Sequence, residues 1–125
     1  MIEPAAKSRL GLWLPPLAYL ALIFVLSGMS QPPIPEGMDQ NLLHFPEYAV
    51  LGILLARALQ GEKAVPPGAR VPALALMLSA LCGLGDEIHQ AFVPGRVPDV
   101  SDWYHDVIGA AVGIAAWMGW KWLRR

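Results

Sequence analysis

Four apolar runs divide the chain, and polar, proline-rich breaks separate them. The first, Leu10–Met29, reads LGLWLPPLAYLALIFVLSGM and carries no charge. The others are Asn41–Leu59, Val71–Phe92 and Asp102–Leu123. About 20 apolar residues cross a bilayer as a helix, so the pattern predicts an all-α membrane protein, a bundle of four transmembrane helices. The breaks SQPPIPEGMDQ (30–40), QGEKAVPPGAR (60–70) and VPGRVPDVS (93–101) hold the prolines and glycines that stop helices. Pro15 and Pro16 are expected near the start of the first helix, where a missing N–H costs least. A cleaved signal peptide would use Lys7 and Arg9 as its basic region. The run is long for that purpose, and no A-x-A-like site follows it.

The last three runs are polar at one end. The second opens with His44 and Glu47, three residues apart and so on one helix face, with Tyr48 beside them and Gly52 further along. Pro46 is tolerable in those first turns, and Arg57 near the far end can snorkel to an interface. The third run ends in DEIHQAF. Asp86, His89 and Gln90 share a face at i, i+3 and i+4, and Glu87 points about 100° away. The fourth begins with Asp102, His105 and Asp106 on one face, continued by Gly109 and Gly113 as a G-x-x-x-G pair that lets two backbones approach closely. Arg96 and Asp99 lie in the short connection between the third and fourth runs.

Composition agrees with a membrane protein. Of 125 residues, 55% are hydrophobic and 15% charged; mean hydropathy is +0.44. The length suits one domain covering residues 1–125. A net charge of −1 gives no sign of a nucleic-acid partner. Cys82 stands alone inside an apolar run, so no internal disulfide forms, and it reads as a small buried hydrophobe.

Charge also sets an orientation. With four spans, both termini and the middle connection share one side. That side holds Lys7, Arg9, Arg57, Lys63, Arg70, Lys121, Arg124 and Arg125, against Arg96 alone on the other. Positive residues stay in the cytoplasm, which predicts cytoplasmic termini. Glu36, Asp39, Glu47, Asp86, Glu87, Asp99, Asp102 and Asp106 then fall at or near the external face, with Glu3 and Glu62 inside. The polar ends of spans two to four are therefore expected to meet at one depth, where their ionisable groups can be buried against each other and away from lipid.

Residues DEIHQAFVPGR, followed by Asp99 and Asp102 and then by Gly109 and Gly113, resemble the VanZ-like family of small bacterial membrane proteins. HFPEYAVLG in the second run resembles a second block of that family, with His44, Phe45, Glu47, Tyr48 and Gly52 in place. The likeness covers Gln40 to Gly113. It implies a bacterial membrane protein linked to the cell envelope and to resistance against the glycopeptide antibiotic teicoplanin, and it implies no reaction. The chain departs from the family pattern at Gln40 and Asn41, where an Asp-Lys pair often stands, and at Asp106, where an Asn often stands. Both changes make the polar end more acidic.

Three roles fit the cluster His44, Glu47, Tyr48, Asp86, Glu87, His89, Gln90, Arg96, Asp99, Asp102 and Asp106. It can be a network that fixes the bundle, with Arg96 paired to Asp86 or Asp99. It can be a site for the polar head group of an amphiphile or lipid-linked substrate. Its His44, Glu47, Asp86, Glu87, His89, Asp102 and Asp106, with His105, supply ligand types for a divalent cation, although no H-E-x-x-H or C-x-x-C spacing is present. In an enzyme, Asp86 or Glu87 would act as base, and His89 and Arg96 would handle proton and anion in a hydrolysis or transfer. No nucleophile stands out. Asp99, Ser101 or Asp102 can also cap the fourth helix. Gly52, Gly109 and Gly113 read as packing positions. The expected partners are the bilayer and either a lipid-linked substrate or, for an accessory or scaffold subunit, larger membrane proteins.

Overall fold

A computed structural model describes residues 8–29, 40–97 and 99–124, with only the backbone of 40–42. The connection expected over Ser30–Gln40 lies outside the described residues, apart from the backbone of Gln40, as do Glu3, Lys7, Glu36, Asp39, Arg125 and the side chain of Asn41. Four helices run in order: α1 (Arg9–Ser27), α2 (Gln40–Gly61), α3 (Arg70–Ala91) and α4 (Val100–Leu123). Each falls within one or two residues of the matching apolar run. Two of them, α1 and α3, are long and apolar enough to cross a membrane. The others are as long, but polar residues lower their hydropathy: His44, Glu47 and Arg57 in α2, Asp102, Asp106 and Lys121 in α4.

Local chemistry explains the helix ends. Ser8 caps α1 by accepting the Gly11 N–H at 3.1 Å, and Asp99 caps α4 by accepting the Ser101 N–H at 2.9 Å. That bond holds the Asp99 carboxyl below the usual carboxylate range. Of the proposed caps on α4, Asp99 is therefore the one used, and Asp102 is free to turn inward. Between α3 and α4 the Arg96 N–H donates to the Val93 carbonyl at 3.2 Å, with Gly95 at φ 81°. Pro94 followed by a positive-φ glycine is the signature of a type II turn.

Pro15 and Pro16 lie in the second turn of α1, deeper than the sequence pattern placed them. A proline at 15 cannot donate to the carbonyl of Gly11. Arg57 donates to that carbonyl instead, at 3.3 Å. A side chain expected to snorkel thus supplies a hydrogen bond that the helix itself lacks. Nearby, Arg9 Nη2 and Trp13 Nε1 donate to the two oxygens of Glu62, at 3.1 and 2.7 Å, and hold its carboxyl below the ordinary range.

The closest packing joins α2 to α4. A Cβ at Gly109 would collide with the Phe45 carbonyl, and one at Gly113 with the Ala49 carbonyl. A Cβ at Gly52 would come within 2.8 Å of the Ala110 carbonyl. The matched steps from 45 to 49 and from 109 to 113 show the two helices running parallel. Tyr48, Leu51, Leu55, Ala110 and Ile114 form the centre of the core, joined by Val71 and Ala75 of α3 and Ile23 of α1. Large apolar side chains on the outside, including Leu14, Leu17, Phe24, Leu81, Ile88 and Val112, are exposed. Patches of this kind mark contact with lipid or with other protein.

Two outcomes follow for purified protein in detergent. Gly113→Ala drives a Cβ against backbone, and overpacking costs about 1–3 kcal/mol; its melting temperature falls, while Gly85→Ala, which meets nothing within 4 Å, melts at or above the parent. Arg57→Met leaves the Gly11 carbonyl unpaired and costs on the order of 1 kcal/mol. In a Pro15→Ala background, which restores the missing N–H, the same change costs less, and a double-mutant cycle in melting temperature reads the difference.

Candidate functional site

Three helices bring their polar ends to one end of the bundle. His44 and Glu47 come from the start of α2, Asp86, Glu87, His89 and Gln90 from the end of α3, and Asp102 and Asp106 from the start of α4. His44, Asp86, Glu87, Gln90, Asp102 and Asp106 are all buried. His44 Nδ1 lies 2.8 Å from Asp106 Oδ1, an N–H donating to a carboxylate, and its Nε2 lies 3.9 Å from Asp102 Oδ2. The imidazole therefore sits between two carboxylates of α4. Asp106 is fully buried, and its second oxygen faces Gly83 of α3, where a Cβ would come within 3.0 Å of it. Gly83 thus makes the room that a buried aspartate needs.

Glu87 also turns inward. Its Oε2 accepts the Asp99 N–H at 3.2 Å and ties the α3–α4 connection to α3. The main-chain carbonyl of Glu47 accepts the Tyr19 hydroxyl at 2.9 Å, so a tyrosine of α1 meets its backbone. Tyr48 is completely buried. Among the described residues, five buried side-chain atoms have no hydrogen-bond partner: Tyr48 Oη, Asp86 Oδ2, Glu87 Oε1, Asp102 Oδ1 and Asp106 Oδ2. Four of these are carboxylate oxygens. Buried polar groups are ordinarily paired, and an unpaired one costs about 1–3 kcal/mol.

Arg96 is not placed as expected. Among the described residues it forms no ion pair with Asp86 or Asp99. Its Nε donates to the Met29 carbonyl at 3.0 Å and its Nη2 to the Leu26 carbonyl at 3.3 Å. A cation at a helix C-terminus meets the negative end of the helix dipole, so Arg96 fastens the end of α1. His89 does the same from α3. Its ring stacks on Phe24 at 4.1 Å, and its Nδ1 is 3.0 Å from Ser27 Oγ. Ser27 in turn donates to the Phe24 carbonyl at 3.1 Å, a set satisfied when His89 carries its proton on Nδ1. Both residues offered as handlers of proton and anion therefore hold α1 against the polar end.

Ser27, Phe24, Tyr19 and Gly83 are residues that the sequence reading missed. For Ser27, the one available signal was a hydroxyl followed by glycine at the end of an otherwise apolar run. His105 Nδ1 donates to the Ser101 carbonyl at 2.6 Å, within its own helix, and lies within electrostatic range of Asp102 and Asp99. Among the described residues, no group of three His, Cys, Asp or Glu side chains is arranged to hold a metal ion.

An all-helical bundle with an acidic, partly unpaired polar end defines the class of protein. The particular family follows from the sequence as a whole: the VanZ/LLP1 family model matches residues 12–123, nearly the entire chain, and the chain belongs to that family. No curated protein and no solved structure matches it significantly.

The clamp on α1 is open to direct test. Arg96→Met removes the donor to the Met29 carbonyl and leaves the Leu26 carbonyl with the Met29 N–H alone. Hydrogen exchange in the last turn of α1 should speed up several-fold, while the core of α2 around Leu51 and Leu55 exchanges at the parental rate.

Proposed function

We propose that the chain is a four-span envelope protein of the bacterial plasma membrane, with cytoplasmic termini and its polar end at the outer leaflet. There it recognises the head group of an amphiphile or lipid-linked molecule. The observation that carries this reading is that, among the described residues, five buried polar atoms at or next to the polar end are unpaired. A network built only to fix the fold gains by pairing its members, and a half-satisfied one is worse than an apolar core. Groups left unpaired are free to meet a ligand. The distribution of basic residues favours this end as the external one.

Binding is favoured over a covalent reaction. The Ser27 hydroxyl is engaged by Phe24 and His89, and Cys82 is half-buried on α3. If a reaction occurs, it is a hydrolysis or transfer. The pair His44–Asp106, in which the carboxylate orients the ring, is then a better base than His89. The alternative is a non-catalytic accessory subunit. The exposed apolar faces of α1 and α3 would suit partner helices as well as lipid.

Tyr48→Phe separates the readings. It removes an unpaired hydroxyl at 0% exposure, so melting temperature should hold or rise. In cells depending on this protein for survival in teicoplanin, protection should fall. Loss of neither, or of both together, would make the cluster structural. Orientation is checked in a Cys82→Ala background by labelling Val97→Cys and Lys63→Cys, both exposed and at opposite ends. Labelling at 63 from outside intact cells would reverse the topology.

A further inference from the structure

We infer that the amphiphile bound at the polar end carries an ammonium head group and lays its chain in the groove between the end of α3 and the start of α4. This rests on the head-group reading above and names its chemical class. The groove encloses about 360 Å³, within the roughly 300–1,000 Å³ of small-molecule sites. Leu84, Ile88 and Ala91 form one wall and Val100 and Trp103 the other, with Glu87 and Asp99 as its charged members among the described residues. The Trp103 indole N–H is already bound to the Ala80 carbonyl at 2.9 Å, so that ring offers the groove an apolar surface. An acyl or alkyl chain fits such walls.

The charge of the head follows from Glu87, which lines the groove, and from the carboxyl groups near it. Glu87 belongs both to the groove and to the buried cluster, within electrostatic range of His44, Asp102 and Asp106. It is 8% exposed, and its Oε1 has no partner. Asp86, Asp102 and Asp106 each hold another unpaired oxygen. Against these four carboxyl groups stands one imidazole in direct contact, that of His44. Arg96 and His89 lie within range of Asp86, and Arg96 and His105 within range of Asp102, but Arg96 donates to carbonyls at and just beyond the end of α1, and the rings bond to Ser27 and Ser101. An anionic head would therefore meet acceptors and negative charge. A hydroxylated neutral head would supply donors without relieving the charge. An ammonium supplies up to three donors and the opposite charge together, and Asp99 at the rim adds to the attraction.

The test uses full-length protein in phosphatidylcholine nanodiscs, titrated with dodecylammonium, dodecanol and dodecyl sulfate below their micelle concentrations. Binding is read by native mass spectrometry. Dodecylammonium should bind at least tenfold more tightly than dodecanol, and dodecyl sulfate most weakly. Glu87→Gln should weaken dodecylammonium about tenfold and leave dodecanol unchanged; should that variant misfold, Asp102→Asn takes its place. Ile88→Trp, at an exposed position, should fill the groove and weaken both. Equal binding of dodecylammonium and dodecanol, or no effect of the acid-to-amide variants, overturns the charge assignment. Unchanged binding in Ile88→Trp overturns the groove. Preferential binding of dodecyl sulfate, or binding of none of the three while Tyr48→Phe still abolishes protection at normal stability, overturns this inference and leaves the head-group reading standing.

Discussion

The contact between the backbones of α2 and α4 governs the rest of the molecule. Gly109 lies against the carbonyl of Phe45 and Gly113 against that of Ala49, with Gly52 answering from the other helix. Contacts that close fix register as well as distance, because each glycine admits one carbonyl and excludes a side chain. The register extends one turn toward the polar end and sets His44 beside Asp106. A slip of one residue along either helix would part that pair and drive a Cβ into backbone. Helix packing and site geometry are therefore one constraint.

That constraint has an energetic counterpart. A stretch of parallel helices with backbones in contact gains dispersion energy over every atom pair it brings together, and small residues at such crossings are the usual device for helix association in lipid. At the polar end the balance runs the other way: Asp106 is fully buried with one oxygen unpaired, and Tyr48, at the centre of the core, keeps an unpaired hydroxyl. The two regions are adjacent on the same helices. The tightly packed one holds the poorly satisfied one in place.

Much of this was legible in the sequence, and the rest was hidden for definite reasons. Helix positions followed from apolar runs and their breakers. The convergence of His44, Asp86, Glu87, Asp102 and Asp106 followed from reversing direction at each connection. Pairing within that group did not follow, since helical periodicity gives the face of a residue and not the depth of its neighbour on another helix. Arg57 and Arg96 show the same limit more sharply. Each was read through its charge, as a snorkelling cation and as a partner for aspartate, yet each donates to carbonyls of α1, 46 and 67 residues or more away along the chain. Backbone acceptors leave no mark in a sequence unless a proline or a helix end frees them, and only Pro15 gave such a hint.

The role of α1 follows from these two arginines. It packs less extensively on the bundle than the other helices do on each other, and most of its surface faces outward. Its attachment depends on polar fastenings at both ends: Arg57 and the Arg9–Glu62 pair at one, Arg96 and His89 at the other. In an apolar surrounding such bonds would face little competition from water, so a few of them would suffice to hold a helix that packs sparingly on the bundle. Two of those fastenings, Arg96 and His89, flank the acidic cluster. The sequence that places a cation next to four buried carboxyl groups thus directs it away from them, into the end of α1, and leaves the carboxyl groups without that partner.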